Sequence, residues 1–204
     1  IRCSGARHDA FRHGILARPP VNLYSDTSFR QSFSRLAKYG LSFDAWVYGD
    51  GAHGAYPHAG SDPIFMLAPI LTAIYAIPSR RINPLYPAVI SIGQVTGGAT
   101  TNVIPNEVML RGTMRSMLPE VREQLWHELE AALRMSQSMG GGYKLNIAKG
   151  YPAMVNDPGA NDWMRDVTRE LLGEDAVVPS QFGMGGEDFA YMTQKAKGAM
   201  FMLG

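Results

Sequence analysis

Cysteine is almost missing from this sequence: Cys3 stands alone among 204 residues. A single thiol excludes an internal disulfide framework and suits a reducing, cytoplasmic setting. Net charge is nearly missing as well. Nineteen Lys and Arg against 18 Asp and Glu leave +1 at pH 7, so nothing draws the chain strongly toward nucleic acid or an anionic membrane. No apolar run approaches the roughly 20 residues that cross a bilayer, and the stretch from Ile1 does not read as a secretory signal. There is no initiating Met, and the chain stops on "AMFMLG", an apolar run without cap or tail. A piece of a longer protein is therefore expected. What is present is a globular balance, 46% hydrophobic and 18% charged, enough for a real core. The length allows one large or two small domains, at about 100–200 residues each.

The first 42 residues carry little pattern. "IRCSGARHDAFRHGILARPPVN" is Arg-rich and aperiodic, and "TSFRQSFSRLAKYG" predicts at most a short helix ended by Gly40. From Phe43 the signal sharpens. "FDAWVYG" is aromatic and β-branched, as a strand is. Asp62-Pro63 supplies an N-cap and a first-turn proline for a helix to about Ile77, with a kink expected at Pro69. "PAVISIGQVTG" and "EVMLRGTMRS" both alternate with the period of a strand, around a Gly-, Thr- and Asn-rich turn, "GGATTNVIPN". Pro119 opens a helix with Val121, Leu125, Leu129 and Leu133 on one face and a stop at Gly140. "YKLNIAKG" is a last alternating strand. The order β-α-β-β-α-β is that of a ferredoxin-like unit. Beyond Pro152, "DPGANDWMRDVTRELLG" reads as a capped amphipathic helix, "AVVPSQF" as strand-like and "GGEDFAYMTQKA" as a helix start. "GAMFMLG" reads as a buried strand. That alternation is the rhythm of an α/β layer.

Three clusters carry possible chemistry. "GAHGAYPH" sets His53 and His58 among small residues after a strand. Five positions apart with Pro57 between them, they are not a helical metal pair, and two histidines fall short of a zinc site's usual three or four protein ligands. In "GGATTNVIPNEVMLRGTMR", Asn102 stands at a loop–strand boundary, and alternation puts Arg111, Thr113 and Arg115 on one face. A strand arginine facing a cleft is a good bidentate partner for a carboxylate; facing water, it is only a surface charge. In "FGMGGEDFAYM", Gly185 and Gly186 give the backbone room to approach a ligand. Glu187 and Asp188 follow at a helix start, where acids favour the dipole and can equally serve as caps.

Taken in this order, "GAHGAYPH…DPI", "GGATTNVIPNEVMLRGTMRS" and "GGEDFAYM" resemble the aminoacylase, hippurate hydrolase and auxin-conjugate amidohydrolase branch of metallopeptidase family twenty. The resemblance covers about Ser42 to Gly204. It implies an α+β, ferredoxin-like βαββαβ lid that also dimerises, attached to part of an α/β metallohydrolase domain. The implied divisions are 1–42, a poorly matching remnant of the catalytic domain; 43–151, the lid; and 152–204, the C-terminal part of the catalytic domain. The family's lid histidine falls on His53, which would polarise the scissile carbonyl, often in the partner subunit's site. Its asparagine and arginine fall on Asn102 and Arg115, which would hold the substrate's carboxylate or amide. Gly185, Gly186 and Glu187 would line the cleft. No role passes to His58 or Arg111.

The implied activity is metal-dependent hydrolysis of N-acyl amino acids or small peptide-like amides by a homodimer joined through its lids, without nucleic-acid or membrane partners. Two divalent ions of zinc or manganese type are expected in the complete protein, with no ligand in this segment, so the segment alone should be inactive. "HDAFRHGILARPP" is similar to a family metal-binding run, but its histidine is out of register, and neither His8 nor His13 takes a ligand role. Residues 12–42 depart from the family altogether, as an insertion or a shifted reading frame would. The competing readings are a non-catalytic ferredoxin-like interaction module and an inactive homologue. A module of that kind would leave "GGEDF" without a purpose, and the strands lack the interleaved aromatic and basic residues of an RNA-binding sheet.

Overall fold

A computed structural model describes residues 42–178 and 183–202. The readings made on residues 1–41, Cys3, His8 and His13 among them, lie outside these. The described residues fall into two compact units, one of 42–153 with 183–188 and the other of 154–178 with 189–202.

The first unit follows the predicted element order. Strand β1 (Ser42–Tyr48) alternates half-buried and buried positions, with Phe43, Ala45 and Val47 turned inward. Helix α1 (Pro63–Arg80) starts where expected: the Asp62 carboxylate accepts the Ile64 and Phe65 N–H groups, and Pro63 occupies the first turn. It runs three residues past Ile77 and passes through Pro69 and Pro78 as one helix. Strands β2 (Ala88–Gly97) and β3 (Glu107–Ser116) form a long antiparallel pair.

Helix α2 (Pro119–Leu133) buries the four residues predicted for its face. It then breaks into a one-turn helix, α3 (Met135–Ser138), instead of continuing unbroken to Gly140. The break has a local cause. The buried Ser136 hydroxyl donates to the Leu133 carbonyl at 2.7 Å, and the Gln137 N–H turns back to Arg134. Gly140 adopts a φ of 83°, the left-handed turn that leads into β4 (Gly142–Ala148).

The sheet order is β2-β3-β1-β4 with every neighbour antiparallel, the ferredoxin-like arrangement. One face carries Phe43, Val47, Ile90, Val108, Leu110 and Met114 against Met66, Ile70, Ile74, Leu125, Leu129 and Leu133 of the helices. Each such side chain contributes about 1.5–3 kcal/mol by leaving water. By alternation, Asp44, Trp46, Arg111, Thr113 and Arg115 occupy the opposite face. There the directly paired Arg111 and Asp44 meet at 2.8 Å.

Regular alternation along β2 fails at one place. Ile92 pairs with Gly112 but Gln94 pairs with Arg111, so Gly93 is the extra residue of a bulge and the inside–outside phase flips after it. Gly112 has a different reason to be glycine: a Cβ there would lie 2.5 Å from the Phe43 ring and from the Ser91 carbonyl oxygen.

In the second unit, α4 (Pro158–Leu172) is capped as predicted, Asp157 accepting the Ala160 N–H at 2.9 Å, and it ends at Gly173 with φ 93°. The rest departs from expectation. Helix α5 (Phe189–Thr193) is only five residues long. Val177 and Val178 are not in a strand, and the remainder of "AVVPSQF", 179–182, lies outside the described residues. "GAMFM" is not a strand: Gly198 to Met200 are half-buried, and Phe201 and Met202 are 49% and 56% exposed. An apolar run becomes a strand only by pairing its backbone with a neighbour. No strand among the described residues offers that pairing. Instead the run is held at two points: the Asp157 N–H donates to the Gly198 carbonyl at 2.9 Å, and the Asn156 side-chain amide donates to the Met200 carbonyl and accepts its N–H, both at 3.0 Å.

Candidate functional site: two paired loops at one end of the sheet

After β1 the chain makes a loop, 49–61, that lies against the loop before β3, 98–106. Small residues make the approach possible. The Gly54 N–H donates to the Asn102 carbonyl at 2.7 Å, the Ile104 N–H to the Ala52 carbonyl at 2.8 Å, and His53 and Val103 form an antiparallel bridge. A Cβ on Gly54 would lie 3.2 Å from the Asn102 carbonyl oxygen, and one on Gly51 only 2.6 Å from Asn106 Oδ1. "GAHGA" is therefore a backbone requirement of the contact. Asn106 was not singled out in the sequence, yet its side chain accepts the Gly51 N–H at 2.8 Å and pins the loop at its root. An asparagine between Pro105 and a strand was the only available signal, and a turn residue was its obvious reading.

The structure thus brings His53 and Asn102 together. His53 is exposed at the tip of a tight turn: the Tyr56 N–H donates to its carbonyl at 2.8 Å, and the Ala55 N–H donates to its Nδ1 at 3.1 Å. Tyr56 stands between the two histidines, its ring 5.9 Å from that of His53 and 6.3 Å from that of His58. Thr100 Oγ1 donates to Asn102 Oδ1 at 2.9 Å.

Arg115 is not part of this group. Tyr48, at the loop end, pairs with Glu107, and Arg115 lies eight positions further along β3, roughly 26 Å at about 3.3 Å per residue. It pairs across the sheet with Val89 and is half-buried, with Nη1 donating to the Met114 carbonyl at 2.9 Å. Burial lowers its pKa from the ordinary guanidinium value, but an arginine stays charged throughout the range in which proteins work. Arg111, ion-paired with Asp44, is accounted for structurally. Gly185 and Gly186 are exposed and Glu187 half-buried, in irregular backbone immediately before α5. A Cβ on Gly185 would meet nothing within 4 Å, so no close approach within the described residues requires glycine there.

Among the described residues, no group of three or more His, Cys, Asp or Glu side chains stands together as a metal site. The residues present do not fit a two-metal centre, and His53 and His58, on either side of Tyr56, gather no acidic partner.

A βαββαβ sheet carrying a Gly-bounded histidine loop beside an Asn-Val-Ile-Pro loop is the arrangement that the family resemblance implied. Comparison with known proteins makes the assignment definite: residues 37–137 match the peptidase dimerisation domain of M20 enzymes, and the chain belongs to the M20 family. It is 37% identical over 161 residues to an N-acetyldiaminopimelate deacetylase of Bacillus licheniformis, covering 76% of this chain and 42% of that protein. It is 35% identical over 168 residues to thermostable carboxypeptidase 1 of Saccharolobus solfataricus, covering 80% of this chain and 41% of that one. The fold is shared with a Bacillus subtilis dinuclear metal binding peptidase of the M20 family, at a TM-score of 0.57 and 22% identity over 78% of this chain and 40% of the other. The chain spans about two-fifths of the length of the curated relatives it matches.

Proposed function

We propose that the complete protein is a metal-dependent amidohydrolase that cleaves the amide of an N-acyl amino acid or small peptide-like substrate, and that this segment is its lid and part of its catalytic body. The deacetylase and carboxypeptidase relatives support that reaction class. The two divalent ions, of zinc or manganese type, would be held by residues other than those described here. A single cysteine supports a cytoplasmic setting.

In this reading the His53 imidazole donates a hydrogen bond to the carbonyl oxygen as it gains charge, an interaction that strengthens toward the transition state. Asn102 and Arg115 hold the amide and the free carboxylate, the latter as a bidentate pair. Gly185, Gly186 and Glu187 line the cleft.

The observation that carries the proposal is the length of β3. Glu107 and Arg115 stand roughly 26 Å apart along β3 by its rise, and His53 lies beyond the Glu107 end, in the loop bridged to Val103. One small amide cannot touch both in a single copy. A twofold dimer resolves this, with His53 and Asn102 of one copy completing a site whose Arg115 belongs to the other. The surface such a dimer would use is present. Ile64, Phe65 and Tyr75 of α1 are 51%, 69% and 53% exposed, and the Tyr75 hydroxyl accepts the Ile92 N–H of β2, an edge strand of the sheet, at 3.3 Å.

Subunit mixing tests the proposal in the complete protein. His53→Ala and Arg115→Ala homodimers should each lose about 10²-fold or more in kcat, or in kcat/KM for carboxylate-bearing substrates. After dissociation and reassociation, hybrids have one intact site, and activity should recover to about a quarter of the wild-type value for random C2 pairing. No recovery in verified hybrids would show that both groups act within one copy, or that one of them does not act.

A further inference from the structure

Three backbone N–H groups follow His53, and each has one acceptor. Gly54 donates to the Asn102 carbonyl at 2.7 Å and Tyr56 to the His53 carbonyl at 2.8 Å. Ala55 is left with the imidazole, donating to Nδ1 at 3.1 Å. The imidazole completes this turn as an Asx side chain completes its own.

A backbone amide can only donate, so the nitrogen facing it must present a lone pair. In a neutral imidazole only one nitrogen does so, and the other carries the proton. We infer that the Ala55 amide is a positioning group that fixes His53 as the Nε2–H tautomer. The outer edge of the ring is then a hydrogen-bond donor before any substrate arrives.

Two consequences follow. The ring is prepared to donate to a carbonyl oxygen through Nε2, with no proton to acquire first. It is also poorly suited to hold a metal or to abstract a proton, because its one lone pair is spent on Ala55 and its other nitrogen is protonated. The histidine loop therefore serves as a donor. The use made of that proton rests on the function proposed above; the tautomer does not, and it is measurable without substrate or metal.

The experiment is a long-range 15N–1H correlation on the full chain labelled at its histidines, under mildly alkaline conditions where imidazoles are neutral. His58 is the internal reference: it lies in the same loop against the other side of Tyr56, with no hydrogen bond at either ring nitrogen among the described residues. His53 should show an unprotonated Nδ1 and a protonated Nε2, in a ratio several-fold and up to about tenfold above that of His58, as one net hydrogen bond provides. Ala55→Pro removes the donor and should return the His53 ratio to that of His58. A wild-type His53 protonated on Nδ1, or indistinguishable from His58, overturns the inference whether or not the proline variant folds. If the spectrum behaves as expected but subunit mixing restores nothing, the tautomer stands and the catalytic assignment falls.

Discussion

Gly51→Ala is the sharpest test of the claim that loop contact, and not side-chain chemistry alone, builds the site. The new Cβ would lie 2.6 Å from Asn106 Oδ1 and 2.8 Å from the Ile104 carbonyl oxygen. Ordinary carbon contacts begin near 3.5 Å, so the loops must part by roughly 0.7 Å. Two hydrogen bonds span that gap, Gly51 N–H to Asn106 Oδ1 and Ile104 N–H to the Ala52 carbonyl, both at 2.8 Å. Stretched to about 3.5 Å, neither meets the geometry of a real bond. At about 1 kcal/mol each, and with water replacing part of the loss at this exposed position, the lid should lose about 1–2 kcal/mol. Urea unfolding of the lid transition should show a lower midpoint at unchanged slope. Faster hydrogen exchange at the Ile104 amide would locate the damage. Gly142→Ala, where a Cβ meets nothing within 4 Å, should stay within about 0.5 kcal/mol of the wild type. Adding Asn106→Ala to Gly51→Ala should cost less than the sum of the two, because the nearer clash disappears with the side chain. If Gly51→Ala matches the wild type in stability and in Ile104 protection, the loops are not held as described.

Gly112→Ala should destabilise the lid by about 1–3 kcal/mol through overpacking, since its Cβ meets both the Phe43 ring and the Ser91 carbonyl oxygen; thermal melting checks this, and Phe43→Leu in the same chain should recover part of the loss. The Glu130 carboxylate is held below the ordinary carboxylate range by the Tyr143 hydroxyl at 2.9 Å and then by Arg134 at 3.2 Å. A depressed folded pKa gives stability that is present above the unfolded pKa and is lost as pH falls through the folded one. Glu130→Gln should therefore flatten the acid limb of the stability–pH curve and leave the slope near neutrality unchanged, as urea melts across the acid range would show. Phe65→Asp, which sets a charge on the outer face of α1, should shift the protein from dimer to monomer in sedimentation while circular dichroism stays unchanged; a persistent dimer would place the interface elsewhere.

Most of the lid was legible because each of its elements carries an independent local signal. Asp62-Pro63 announces a helix start, Val121 to Leu133 a buried stripe, and the three long strands a period of two. The bulge at Gly93 was not legible. The sequence continues to alternate there, and only the pairing partner shows that Gln94, not Gly93, faces Arg111. The tail was misread for a related reason. "GAMFMLG" has strand composition, but composition states only what a neighbour would stabilise, and among the described residues no strand pairs with it, only the Asp157 N–H and the Asn156 side chain. The site was half legible. Motifs named His53, Asn102 and Arg115, while the approach of His53 and Asn102 depends on Gly54 and Ala52 reaching across to the second loop, contacts between residues about fifty positions apart. Nothing in the spacing of Arg115 revealed that it stands at the far end of the sheet.

That far position gives β3 a purpose beyond holding the sheet together. From Val108 to Thr113 the chain has almost no freedom, because β3 is paired there on both sides, by β2 and by β1; Arg115 itself is paired with Val89 of β2. Its register is fixed by Val108, Leu110 and Met114 in the core. A one-residue slip would turn Arg115 into that core and expose Met114, so the same hydrophobic pattern that stabilises the sheet also sets the face on which the guanidinium emerges. The irregularity is confined to β2, whose bulge absorbs an extra residue at the sheet edge while β3 keeps its alternation unbroken. In the proposed dimer, where Arg115 would meet a substrate held by His53 of another copy, that rigidity would keep the guanidinium in place. Any play along the strand would appear twice in a twofold assembly, and a misplacement of about 1 Å can cost two orders of magnitude in rate.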